Sequence, residues 1–143
     1  MLSSSRFVMA VHVLSLLAHY GKKGPVCSAT IAKSVETNPV VIRRLMSQLE
    51  QAKLVSSVSG RAGGFLLAAP PDQINLASVY QAVEDAQVFR FHKNSDSSEC
   101  ETARAIFKSL MPRLSEASRA MTETLAKTLL SDVVPMAKAS VAA

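Results

Sequence analysis

Few side chains in this sequence could carry covalent or acid–base chemistry. The thiols are Cys27 and Cys100, and there are three histidines. No Ser/His/Asp set and no pair of carboxylates stands out, so nothing supports an enzyme. His12 and His19 share one face of a helical stretch, but no third ligand accompanies them and no metal site is expected. The cluster Gly60-Arg61-Ala62-Gly63-Gly64 has no Gly-Lys-Ser/Thr after it, so it is not a phosphate-binding P-loop. Chemistry of another kind is present. Arg43 and Arg44 are adjacent, Arg61 sits inside the glycine cluster, and Ser28, Thr30, Lys33, Asn38, Val40 and Val41 precede them at short intervals. Cations beside hydroxyl, amide and small apolar groups are what meet phosphates and base edges.

The charge distribution points the same way. Residues 1–69 hold eight Lys/Arg and two acids, a balance of +6, whereas residues 70–143 hold eight and nine, a balance of −1. The first half is the one suited to a polyanion, although a solvated basic face would give the same balance. With 48% hydrophobic residues the chain can build a core. It is long enough for one domain with an appended element. No apolar run is long enough to span a bilayer, and the stretch Phe7–Leu17, interrupted by His12 and Ser15, does not read as a signal peptide. Two distant cysteines do not make a secreted disulfide framework, so a reducing cytoplasm is expected.

The elements that would position these groups can be read in order. Residues 3–20 form a helix, capped by Ser3, Ser4 or Ser5, with Phe7, Val11, Leu14 and Ala18 on one face. Val8, Val13 and Leu16 make much of the remaining surface apolar, which suggests that a partner subunit covers one side. Gly21 and Gly24-Pro25 end it. Ser28 caps a short helix from Ala29 to Val35. Asn38-Pro39 restarts the chain as N-cap and first helical residue, and the next helix runs over 39–52, with Val41, Leu45, Gln48 and Leu49 at helical spacing. Two short helices joined by three residues are a helix-turn-helix candidate. Leu54–Val58 and Phe65–Ala68 then form a hairpin about the glycine-rich turn, and Asn75 caps a helix from Leu76 to about Asp85. Residues 86–96 read as a loop. From Ser97 or Ser98 to about Leu129 a long helix places Cys100, Ala103, Phe107, Leu110, Leu114, Ala117 and Met121 on a seam. Such a seam fits a dimer helix, with two shorter helices folded back on the chain as the alternative. Pro112 should kink it. Residues 131–143 read as a loose tail. The fold class is therefore mainly α with a small β-hairpin wing: a winged helix-turn-helix over 1–85, and an effector loop, long dimerisation helix and tail over 86–143.

The ordered set Ser28-Ala29-Thr30-Ile31-Ala32, Asn38-Pro39-Val40-Val41-Ile42-Arg43-Arg44-Leu45, Leu54-Val55, Gly60–Ala68, Ile74-Asn75-Leu76 and Val83-Glu84 resembles the Rrf2 family. This bacterial winged-helix group includes the IscR-, NsrR- and CymR-type regulators. The resemblance covers residues 1–85 closely and the long helix in layout only. It implies that the wing enters the minor groove and that bound protein represses by blocking polymerase. Cluster-binding members carry three cysteines between the short fourth helix and the long helix. Here the stretch Asp85–Arg104 contains only Cys100, with His92 nearby, which falls short of the usual ligand set of an iron–sulfur cluster. No cofactor is expected. Cys27 reads as a packed small apolar residue.

The expected function is that of a homodimeric DNA-binding regulator on a pseudo-palindromic operator. The 39–52 helix lies in the major groove, with Asn38, Val40, Val41, Arg43 and Arg44 as candidate contacts. Arg43 and Arg44 are rotated about 100° apart on a helix, so one reads a base while the other meets a phosphate or an acid of its own subunit. Ser28 and Thr30 begin the supporting helix, Lys33 is a candidate phosphate contact, and Arg61 is carried into the minor groove by the 54–68 wing. Cys100 is either a redox sensor, favoured as thiolate by the helix N-terminus, or a structural seam residue. The rival reading is a protein-interaction module that binds a metabolic enzyme through its apolar helices, with DNA binding secondary. A small-molecule effector acting near residues 86–104 is compatible with either.

Overall fold

The computed structural model describes residues 5–85, 88–91 and 96–134. The order is α1 (Arg6–Tyr20), a 3-10 turn (Gly21–Lys23), α2 (Ser28–Val35), α3 (Pro39–Gln51), β1 (Val55–Val58), β2 (Gly64–Leu67), a second 3-10 turn (Pro71–Gln73), α4 (Leu76–Val83) and α5 (Glu101–Ala126). Ala10, Val13, Leu14 and Leu17 recur at three- and four-residue steps and form the buried face of α1. That face is rotated from the expected one, since Phe7, Val11 and Ala18 are only half-buried. It packs with Ile31 of α2, Ile42, Leu45, Met46 and Leu49 of α3, and Val79 and Val83 of α4.

Of the three serines expected to cap α1, Ser3 and Ser4 lie outside the described residues. Ser5 occupies the N-cap position without a side-chain hydrogen bond. Instead the Phe7 amide donates to Glu84 Oε1 at 3.3 Å, and the Arg6 guanidinium meets Glu84 Oε2 at 3.3 Å. A carboxylate from beyond the end of α4 thus sits where the helix presents unpaired N–H groups and the positive end of its dipole. The N-cap of α2 is Cys27, not Ser28, which is the first helical residue. Asn38 does cap α3, accepting from the Val40 amide at 2.8 Å, and Asn75 caps α4, accepting from the Ser78 amide at 2.9 Å.

The hairpin pairs Val55 with Leu67, Ser56 with Leu66, Ser57 with Phe65 and Val58 with Gly64. A one-residue bridge flanks β2 on its other side. Val26 and Phe65 exchange both backbone hydrogen bonds, at 3.0 and 2.9 Å. Gly64 makes this approach feasible, because a Cβ there would lie 2.4 Å from the Val26 carbonyl oxygen. Gly63 closes the turn in the same way, with its missing Cβ 2.3 Å from the Val58 carbonyl oxygen.

The long helix starts at Glu101 and ends at Ala126, three residues short of the expected limit at each end. It is one helix that continues through Pro112, so the two-helix alternative does not hold. Its 26 residues span about 39 Å. Cys100 is its N-cap and lies just outside the helix. No residue of α5 is buried within the chain. Ala103, Phe107, Leu114 and Met121 of the expected seam are half-buried, and Phe107 meets Phe91 edge-on at 4.8 Å. Ile106, at 53% exposure the most open large apolar side chain on the helix, and Leu110 point elsewhere.

After α5 the chain returns to the winged unit. The Leu76 amide donates to the Thr128 carbonyl at 2.9 Å, and the Leu130 amide to the Ile74 carbonyl at 2.7 Å. Leu130 and Val134 are buried in the core. The loose tail expected over 131–143 is therefore helical and packed as far as residue 134, and the rest lies outside the described residues.

Candidate nucleic-acid interface

Burial of Ile42, Leu45, Met46 and Leu49 decides which side of α3 remains open. Asn38, Pro39, Val40, Val41, Arg43 and Arg44 are all exposed. The Asn38 oxygen is used by the Val40 amide, which leaves its NH2 group to donate outward. Arg44 and Val41 line a groove between α3 and α1 together with Arg6 and Gln48. Arg43 is exposed outside that groove, as the rotation along the helix requires. Among the described residues no carboxylate lies within 4.0 Å of Arg43, Arg44, Arg61 or Lys33. The expectation that one of the paired arginines rests on an acid of its own subunit thus finds no described partner.

The second cationic group lies beside the wing. Thr30 and Lys33 of α2 and Arg61 of the turn line a common groove with Cys27. Lys23 joins them from the 3-10 turn after α1. This lysine was not singled out from sequence, where Gly21–Pro25 reads only as the end of a helix. The bridge between Val26 and Phe65 brings its segment to the wing. Ser28 is half-buried and does not line the groove.

Cys27 is exposed, contrary to the expectation of a packed residue. Its Sγ lies 3.1 Å from Thr30 Oγ1. That side-chain hydrogen bond, assisted by the Thr30 and Ala29 amides, holds the thiol below the usual cysteine range against a small opposing effect of burial. Cys100 is also exposed, and its amide donates to Ser98 Oγ at 3.2 Å. His12 Nε2 lies 3.3 Å from Ser34 Oγ, and His19 stacks edge-on with Tyr20 at 4.6 Å. No group of three His, Cys, Asp or Glu side chains among the described residues could hold a metal ion. His92 lies outside the described residues. No described helix is long and apolar enough to cross a membrane.

An open basic α3 beside a hairpin, both mounted on one helical core, is the arrangement of known proteins. Residues 3–136 match the Rrf2 family, described as an iron-dependent transcriptional regulator. YwnA of Bacillus subtilis, provisionally named an HTH-type transcriptional regulator, is 37% identical over 132 residues, which cover 92% of this chain and 96% of YwnA. A crystal structure provisionally described as a DNA-binding protein superposes with a TM-score of 0.74 at 35% identity, over 90% of this chain and 98% of its own. The cysteine regulator CymR of B. subtilis shares the fold, with a TM-score of 0.69 at 22% identity over 95% and 98% of the two chains. This chain belongs to the Rrf2 family of DNA-binding transcriptional regulators, and it is not an enzyme.

Proposed function

We propose that the chain acts in the cytoplasm as a homodimeric repressor, with α3 of each subunit in a major groove and each wing in the adjacent minor groove. The observation that carries this reading is the pair of exposed cationic clusters, none of whose cations has a carboxylate within 4.0 Å among the described residues, although Glu36 lines the groove of the second. Arg43 and Arg44 lie on α3, and Arg61 with Lys33 and Lys23 lies beside the wing. The capped first turn of α3 presents Asn38, Val40 and Arg43 to base edges, while Arg44, Lys33 and Thr30 meet phosphates. Arg61 enters the minor groove, where narrow A·T tracts concentrate negative potential. A dimer sets two such units on half-sites about 34 Å apart.

The family description names iron, but the thiols of this chain do not suit a cluster. Cys27 lies against Thr30 at the start of α2, and Cys100 precedes α5. Cluster coordination calls for about four thiolate or imidazole ligands, and the stretch between α4 and α5 supplies Cys100 as its only cysteine. The proposed regulator therefore works without an iron–sulfur cluster.

Fluorescence anisotropy with a labelled duplex selected by the protein from a randomised pool tests the reading. Affinity should fall by orders of magnitude between about 50 and 200 mM salt. Arg61→Ala should weaken binding by about 1–3 kcal/mol. Unchanged affinity in Arg61→Ala would remove the wing from the interface, and salt-independent binding would remove the phosphate contacts.

A further inference from the structure

We infer that Glu50 is a positioning residue for DNA binding. From the last turn of α3 it ties the outer edge of the wing to the recognition helix, and so fixes where Arg61 stands relative to Arg43. This rests on the proposed roles of α3 and the wing.

The sheet geometry explains why a tie is needed. In an antiparallel strand the N–H and C=O groups of successive residues point alternately to the two sides. Phe65 directs its own pair to Val26, so its partner Ser57 directs its pair away from β2. β1 is thus the outer strand, and the Ser57 amide is an edge donor with no strand beyond it. Glu50 takes it. Oε1 accepts from the Ser57 amide at 3.1 Å and from Ser57 Oγ at 2.6 Å.

Beyond its ladder with β2, little side-chain packing holds this part of the wing. Val55 is buried, but Ser56, Ser57 and Val58 are exposed, so side-chain packing anchors β1 only at its base. The link from α3 to β1 is the short segment Ala52–Leu54, with Lys53 in the left-handed region at φ 59°. Ser57 stands between this hinge and Arg61. A carboxylate beside a DNA-binding surface would by charge alone repel phosphates. Its effect as a tie has the opposite sign, which makes the two separable.

The test measures affinity for the selected duplex in Glu50→Ala, Glu50→Gln, Ser57→Ala, Arg61→Ala and the Glu50→Ala/Arg61→Ala double variant. Glu50→Ala should weaken binding about three- to tenfold, the scale of one or two net hydrogen bonds. Glu50→Gln keeps an acceptor oxygen and should restore most of the affinity. Adding Glu50→Ala to Arg61→Ala should cost nothing further, because the tie acts through the wing arginine. Hydrogen exchange at the Ser57 amide, read without DNA, should accelerate in Glu50→Ala and not in Glu50→Gln. Tighter binding in both Glu50 variants would mean charge repulsion alone and overturn the proposal. So would full additivity with Arg61→Ala, or exchange at Ser57 that ignores Glu50. If the wild-type chain binds no duplex while the Ser57 exchange responds as expected, the hydrogen bonds stand, the proposed function fails, and the positioning role falls with it.

Discussion

At the scale of single residues, Cys27 has the chemistry most altered by its surroundings. Thr30 Oγ1 lies 3.1 Å from its sulfur, and this contact leads the effects that lower its pKa. More of the thiol is therefore thiolate at neutral pH than an ordinary cysteine would show, and the thiolate is the reactive form. In a Cys100→Ser background, the rate of iodoacetamide alkylation plotted against pH should turn upward at lower pH than for a free thiol. Thr30→Val should move that profile back toward the ordinary one. An identical profile in both proteins would mean that the Thr30 hydroxyl does not hold the thiolate in solution. The sequence exposed the cations of this surface and concealed the thiol, for a physical reason. Asn38-Pro39 fixes the start of α3, but the spacing of Val41 with Leu45, Gln48 and Leu49 reads as an apolar face, and only the burial of Ile42, Leu45, Met46 and Leu49 shows that Val41 stays outside with Val40, Arg43 and Arg44. Cys27 stands one residue before a serine able to cap, and only the backbone shows that the cap position falls on the cysteine.

At the scale of elements, local signals located the pieces and non-local contacts set how they join. The cap on α3 was legible, and Asn38→Ala should cost about 0.5–2 kcal/mol in denaturant unfolding, because the Val40 amide loses its acceptor. Affinity for DNA should fall with it, since the first turn carries the candidate base contacts. The hairpin was legible from its β-formers and glycines. The bridge beside it was not, because one residue at Val26 has no period to detect. Nor could local sequence show that Glu84, 77 residues away, supplies the hydrogen bond to Phe7 that a nearby serine was expected to make at the start of α1. The segment after α5 was misread for a similar reason. Leu130 and Val134 are one helical turn apart, but a single turn with two apolar residues looks like a tail until a core is found beneath it. Leu130 is fully buried, so Leu130→Ala should destabilise the chain by about 2–5 kcal/mol. A cost near zero in thermal or urea unfolding would detach this segment from the core.

At the scale of the whole molecule, the open question is what covers α5. A helix of 26 residues with none fully buried in its own chain gains only part of its stability from packing there, and isolated helices are marginal in water. Part of the seam read from its sequence is used internally, where Phe107 and Leu114 with Val88, Phe89 and Phe91 line an apolar groove. Large apolar side chains left exposed on α5 include Ile106, which the heptad reading passed over, and Leu110 one turn later. A second copy of the same helix would remove both from water, in keeping with the proposed dimer and with a palindromic operator. The segment that enters α5 follows Glu84, which holds Arg6 and the start of α1, and Arg6 lines the groove that contains Arg44. Ile106→Glu with Leu110→Glu should convert the protein from twice the 15.3 kDa chain mass to the chain mass in sedimentation equilibrium. Circular dichroism should retain the winged unit, while affinity for the full operator falls toward that for one half-site. A charged pair that leaves the mass doubled would place the subunit contact elsewhere, with the outward face of α1 around Val8, 68% exposed, as the next surface to change.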